Sequence, residues 1–344
     1  MKLRYFVARR LVLTVFVLFG ISVITFLLTH TVPSNPAALW AGSHATQAQI
    51  DQAAQQLGLN KPLYVQYFDF LMGVLRGDLG TSIRTQQPVA QDIVQFLPAT
   101  FELVMVSMFI AVAVGIPIGV LSAKRRNTAA DHSSRIFAMS GVSIPVFWLG
   151  MLLQLLFYSH FGLLPLQGRV TDAVVAAHPL SKITGFVLVD AVIQGNVPVF
   201  VDAAQHILLP AVTLSYASLA IITRMTRSSM LETLEEEYMT VHDAFGLSDR
   251  QMTYKYALKN SLNSVLTVLG LSFGYLLGGS VLVESIFSWP GLGRYIVRSN
   301  YATDYPAVMG VTLVFAAMYI LINLLVDVAY AYLNPRIRSQ GGSA

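Results

Sequence analysis

Six long apolar runs order this chain: 11–29, 101–123, 136–158, 207–225, 262–283 and 307–333. Each approaches or exceeds the roughly 20 residues that cross about 30 Å of hydrocarbon as a helix. The 207–225 run is the weakest, because Pro210, Ser215, Tyr216 and Ser218 dilute it. The pattern predicts an all-α, polytopic membrane protein with six transmembrane helices.

Between the spans the pattern changes. In the long segment from 32 to 98, residues 46–58 read as a helix. Thr46 suits its N-cap, Ile50, Ala53, Ala54 and Leu57 recur at helical spacing, and Gly58 can end it. Residues 63–78 are rich in aromatics and too interrupted for a span, so they fit a helix at the interface or a cap on the bundle. Residues 159–205 are mixed and are expected to fold partly back. In 230–260 charge is dense and the apolar stripe thin. Leu231, Leu234 and Tyr238 share one helical face, Ala244-Phe245-Gly246 breaks the helix, and Ser248 caps a second helix bearing Met252 and Tyr256. Such a hairpin is either a solvated loop or a docking surface, and the apolar tip with Phe245 and Leu247 favours docking.

Composition agrees with the hydropathy. The chain is 55% hydrophobic and only 12% charged, against about 25% charged in soluble domains. Its net charge of +4 needs no nucleic-acid partner, because topology explains the basic residues. Fifteen of the 22 Lys and Arg fall in the N-terminus, the second and fourth connections, the last turn of the fourth run (Arg224) and the C-terminus. Short basic segments stay inside, so both termini are expected to be cytoplasmic. The basic MKLRYFVARR start precedes a run too long for a signal peptide, which reads as an uncleaved first span. There are no cysteines, the seven histidines are scattered, and neither HExxH nor a Walker-type phosphate loop occurs. Metal, ATP and Mg sites on this chain are therefore not expected.

Polar and helix-breaking residues within the spans are the pathway candidates. Asn323 and Asp327 stand four apart on one face of the last span. Glu284 precedes a Trp289-Pro290-Gly291 turn. Either set could be a structural hydrogen-bond anchor or a contact that changes during gating. Pro145 and Pro210, with Pro117, can kink spans, and Gly278 and Gly279 allow close packing or bending.

The chain resembles the inner-membrane permease subunits of the dipeptide, oligopeptide and nickel branch of binding-protein-dependent ABC importers. It is most similar to the type with a long loop after the first span. The resemblance covers essentially the whole chain. It is carried by LGLNKPLYVQY, LRGDLGTSIRTQQPVAQDI, LPATFEL, GIPIGVLSA, SIPVFWLG, LLPLQGR and HILLPAVTLS. The most specific block is GLSFGYLLGGSVLVESIFSWPGLGR, joined by NLLVDVAYAYLNPRIR near the end.

The resemblance implies a type I ABC importer permease fold. Its parts would be a cytoplasmic N-terminus with the first span (1–30), a long extracytoplasmic loop (31–99), a five-span core (100–338) with a coupling loop (226–261), and a flexible tail (339–344). It also implies the partners: a second homologous permease, two ATPase subunits that bind ATP and Mg, an extracytoplasmic substrate-binding protein, and membrane lipid. The coupling stretch would comprise Glu236, Glu237, Tyr238, His242, Asp243, Ala244, Phe245, Gly246, Leu247 and Arg250. It departs from the family pattern at His242, Asp243 and Phe245, where alanine, arginine and lysine are usual. Peptide is the expected substrate, with a nickel chelate, glutathione or a sugar as alternatives. An intramembrane enzyme and a membrane scaffold are the remote readings.

Overall fold

A computed structural model describes residues 3–31, 35–42 and 44–333. The start of the 32–98 connection at Pro33, the basic Arg336 and Arg338, and the tail at 339–344 lie outside the described residues. The side chains of Asp243 and Asp327 are likewise outside what is described.

The described residues are mostly helical. The first span is α1 (Leu3–Thr31). The 32–98 connection holds α2 (Pro36–Ala41), α3 (Gln47–Gln56) and α4 (Leu63–Leu75). Thr46 caps α3 reciprocally, donating its N–H to the Gln49 side chain at 2.8 Å. Helix α4 packs on α1 through Tyr67 and Phe70 against Phe26, and the Tyr67 hydroxyl pairs with Ser22 at 2.8 Å.

The second span, α5 (Val89–Lys124), starts twelve residues before the apolar run at 101 and includes Pro98 and Pro117. The third is not the single helix expected at 136–158. It breaks into α6 (Ala129–Ser143) and α7 (Val146–Leu153, continued by wider turns over Gln154–His160), with a 107° bend between them. Pro145 is the cause. It cannot donate a helical hydrogen bond, and it forces Ile144 into extended backbone (φ −86°, ψ 123°).

The 159–205 connection is shorter than expected and contains α8 (Asp172–Ala177) and α9 (Val187–Ile193). Span four, α10 (Val197–Leu234), runs 38 residues, twice the 207–225 apolar run. It is the least apolar of the five long spans, as expected, and also the most enclosed, with 72% of its apolar window buried. Thr213, Ser215, Ser218, Thr223 and Thr226 are all buried against neighbouring helices. Next come α11 (Glu237–Ala244) and α12 (Leu258–Ile286), the latter entered through a widened turn at Gln251–Ala257. Finally, α13 (Leu292–Tyr301) leads into the last span, α14 (Tyr305–Leu333). With the bent α6–α7 pair taken as one, the spans number six.

At the centre, α10 packs on α5, α12 and α6. Small residues set the approach. A Cβ on Gly119 of α5 would lie 2.6 Å from Thr226 Cβ and 2.8 Å from the Thr223 carbonyl, so only glycine permits this crossing. The main core gathers Leu103, Val104, Leu209, Leu214, Phe273, Leu276, Phe287 and Trp289 from α5, α10, α12 and the turn after it. By contrast, α1 and α14 flank the bundle and are the least enclosed spans, with 22% and 17% of their apolar windows buried.

Candidate functional site

The 235–259 hairpin stands at the end of the bundle where Lys124, Arg126 and Arg227 gather. A break at Glu235-Glu236 separates it from α10, so the face shared by Leu231, Leu234 and Tyr238 is assembled from two helices rather than one. Its floor is apolar: Met239 and Ala257 are buried with Val120, Ala123 and Met230, and Tyr238, Met252 and Tyr256 pack around them. Asn260 donates to the Tyr238 hydroxyl at 2.7 Å. The His242 ring lies 4.3 Å from Tyr256 and meets the edge of Tyr238. Ser248 starts the second helix as expected, accepting weakly from the Gln251 N–H at 3.4 Å and donating its own N–H to Gln251 Oε1 at 3.3 Å.

Two ion pairs tie the hairpin to the end of α5. They are Arg126–Glu235 at 2.6 Å and Lys124–Asp249 at 2.5 Å. Both are largely exposed, so they set direction more than stability.

The tip points away from this floor. Phe245 is 81% exposed, and Val241, Ala244, Gly246 and Arg250 are also open, as are Glu236 and Glu237. Leu247 is half-buried. Gly246 has φ +73°, the left-handed region that favours glycine, while an added Cβ would meet nothing within 4 Å. The turn therefore needs glycine for its backbone angle and not for space. Met239 was not singled out in the sequence, although it anchors the hairpin. Its signal was its place beside Tyr238 in an otherwise charged helix.

A second unmarked group sits beneath the hairpin. Asp131, buried, receives Arg227 through two bonds of 2.6 and 3.0 Å, the Ser122 hydroxyl at 2.7 Å and the Asn127 N–H at 3.0 Å. This carboxylate joins α5, α6 and α10. The Thr128-x-x-Asp131 spacing, a helix-start pattern inside a basic segment, was its sequence signal.

The pathway candidates disperse. Glu284 is fully buried, not open to a path, in the described chain. It accepts from Thr100 Oγ1 at 2.7 Å and the Arg294 N–H at 3.0 Å, and Thr100 in turn accepts from the Leu292 N–H at 2.7 Å. Trp289 Nε1 donates to the Ala99 carbonyl at 2.9 Å. Glu284 thus pins the 287–294 turn to α5. Asn323 donates to Tyr319 of its own helix at 2.9 Å and borders a groove between α1, α12 and α14. Pro210 is buried within α10. Gly279 faces Leu214 of α10, whereas Gly278 has open space beside it. Pro145 heads α7 at the bend.

Comparison with known proteins places these features. Residues 115–339 match the model for the binding-protein-dependent transport system inner membrane component, and residues 2–104 match its N-terminal companion. The probable D,D-dipeptide transport system permease protein DdpB of Escherichia coli K12 is 46% identical, covering 95% of this chain and 96% of that one. The dipeptide transport system permease protein DppB of the same strain is 43% identical, covering 97% and 98%. The glutathione transport system permease protein GsiC of Pectobacterium atrosepticum is 41% identical, covering 98% and 99%. Among solved structures, a chain of the inward-facing MetNI methionine ABC transporter matches with a TM-score of 0.51 at 18% identity. The match covers 70% of this chain and 96% of that chain, and it speaks for the fold alone. A helical bundle of six spans, matched over nearly its full length by both family models, belongs to the inner-membrane components of binding-protein-dependent transport systems.

Proposed function

We propose that this chain is one of two permease subunits that together enclose the translocation path of a peptide importer, driven by ATP hydrolysis on separate subunits. The observation that carries the reading is the 235–259 hairpin. Its base is held by a buried apolar floor, and its aromatic tip is left uncovered. A rigid lever with an open apolar end suits docking into a soluble partner, and a rigid element transmits motion that a loose loop would absorb. Two ATPase subunits, carrying ATP and Mg, would grip such hairpins on the two permeases. An extracytoplasmic binding protein would deliver substrate at the opposite end. Both termini would then be cytoplasmic, in keeping with the basic segments. Peptide is the favoured cargo because the relatives at 43–46% identity are named for dipeptide transport. Glutathione, itself a peptide, is the second reading, from relatives at 39–41%.

Co-purification of the tagged chain from native membranes in mild detergent, with partners identified by mass spectrometry, tests the assembly. Recovery of a second permease and two ATPases is expected. Recovery of intact, abundant chain alone would overturn the reading. Within the assembled complex, Phe245→Ala is expected to lower ATP-driven uptake about tenfold while changing the fold's stability by less than about 0.5 kcal/mol. Uptake and thermal unfolding, measured on the same preparation, check it.

A further inference from the structure

A recess opens between α6, on the side before its bend into α7, and the basic half of α10. It is about 480 Å³ and is lined by Arg135, Met139, Val142 and Ser143 of α6 and by Thr223 and Arg224 of α10. Ala217, Ile221, Arg224 and Ser228 of α10 are open or half-open, as are Tyr216, Met225 and Arg227, and the spacing of four, three and four puts the first set on one stripe. Arg227, one turn on from Arg224, is committed to Asp131. Arg224 makes no hydrogen bond or ion pair among the described residues. Arg135 lies across the recess, 44% exposed, with only a 3.7 Å approach to Asp131 and a bond to His132.

An unpaired arginine in a span faces a cavity, water or an anion. The break itself decides against hydrocarbon. Ser143 and Pro145 are exposed at the bend, and Ile144 is extended. Non-helical backbone at this position in a span is tolerated where it meets protein or a water-filled cavity, not lipid tails. The sides differ accordingly, since the weakly enclosed α1 and α14 pack on each other, whereas α6 and α7 pack on α10.

We propose that this recess is a station on the translocation path where Arg224, with Arg135 beside it, receives the terminal carboxylate of the transported peptide. The proposal rests on the peptide-importer reading. Guanidinium matches carboxylate through paired, charge-assisted hydrogen bonds, while the Met139 and Val142 wall accepts side chains of varied shape. A recess of this size falls in the usual range for small-molecule sites.

The test uses the whole importer with its binding protein in proteoliposomes and radiolabelled alanyl-alanine as probe. Arg224→Gln is expected to lower uptake about tenfold or more, and Arg224→Lys, which keeps the charge but not the paired donors, to fall between that variant and wild type, with complex recovery and ATPase activity held within about twofold. Because the chain has no cysteine, Arg224→Cys supplies an independent arm in which one folded preparation is read with the charge absent and then returned by labelling. Reaction with a cationic trimethylammonium-ethyl methanethiosulfonate, which returns the charge without the donors, is expected to recover part of the uptake, and the anionic sulfonatoethyl reagent to leave it low. Uptake by Arg224→Gln equal to wild type would overturn the station. So would labelling of Arg224→Cys only by a lipid-soluble maleimide, which would give this position to a lipid headgroup. Failure of the wild-type complex to move any peptide would instead overturn the peptide reading on which the station stands.

Discussion

The two ends of this bundle are held together by different physics. At the end away from the hairpin, the polar anchors are buried and saturated. Glu284 pins the 287–294 turn, Asp304 accepts from Ser82 and the Arg84 N–H, and Asp92 accepts from Thr85 and Tyr295. Glu102 there holds Arg169 and the Leu188 N–H. Burial, with Asp92 as the acceptor of its proton, pushes the Tyr295 phenol up, which keeps it a donor. At the basic end, the hairpin rests on a small apolar floor and two exposed ion pairs. Buried polar networks lose much when disturbed, whereas exposed pairs exchange readily with water. The contrast separates a frame that must keep its shape from a lever that can be pulled.

The comparison can be broken in order of expected effect. Glu284→Ala would leave the Thr100 hydroxyl and the Arg294 N–H without their buried acceptor, at a cost of about 2–5 kcal/mol. Glu284→Gln, which keeps an acceptor, should lose less. Thermal unfolding in detergent measures both, and a loss under about 1 kcal/mol for the alanine variant would make this anchor no stiffer than the hairpin. Next, Asp131→Ala strands Arg227 beneath the hairpin and should cost about 3 kcal/mol. The same unfolding experiment shows whether the rigid frame extends to that depth at the basic end.

The third effect is on pH dependence. Burial pushes Asp190 up, but bonds from the Thr184 hydroxyl and the N–H groups of Thr184, Gly185 and Ile183 outweigh it, so its carboxyl is held below its ordinary value. A depressed carboxyl stabilises fully above its unfolded value near pH 4 and loses that stabilisation as pH falls through its folded value. Protection of the 183–185 amides against hydrogen exchange should therefore drop, relative to the rest of the chain, below about pH 4. In Asp190→Asn that pH-dependent drop should disappear. Smallest of all, Lys124→Ala removes one exposed pair to Asp249 and should cost no more than about 1 kcal/mol. A larger loss in unfolding would show the hairpin to be clamped rather than poised.

Much of the fold was readable in the chain because lipid leaves few options. Runs such as 262–283 and 307–333 can satisfy their backbones only as helices. Thr46 and Ser248 announced helix starts because their side chains serve neighbouring N–H groups, a local effect. The hairpin was legible for the same reason, with Gly246 marking the turn. The run 207–225 is the least apolar, as its polar residues indicated, but what those residues do, which is to serve as packing surface, was not legible. Hydropathy averages cannot tell a hydroxyl facing lipid from one bonded to its own helix, as Thr213 is to the Leu209 carbonyl at 2.7 Å. Glu284 was recognised as special, yet its anchoring role depends on Thr100, 184 residues away. No local pattern reports such a partner.

The sequence by itself determined the membrane setting, the helical class, the order of the spans and the place of the hairpin. Each follows from hydropathy, length and local capping, which act over a few turns. Only the tertiary structure decided which polar groups are buried anchors, that Pro145 turns one span into two helices at 107°, and that Arg224 lines a recess without a hydrogen bond or ion pair among the described residues. Those outcomes depend on which helices meet and at what angle, and that is settled by the packing of residues far apart in the chain.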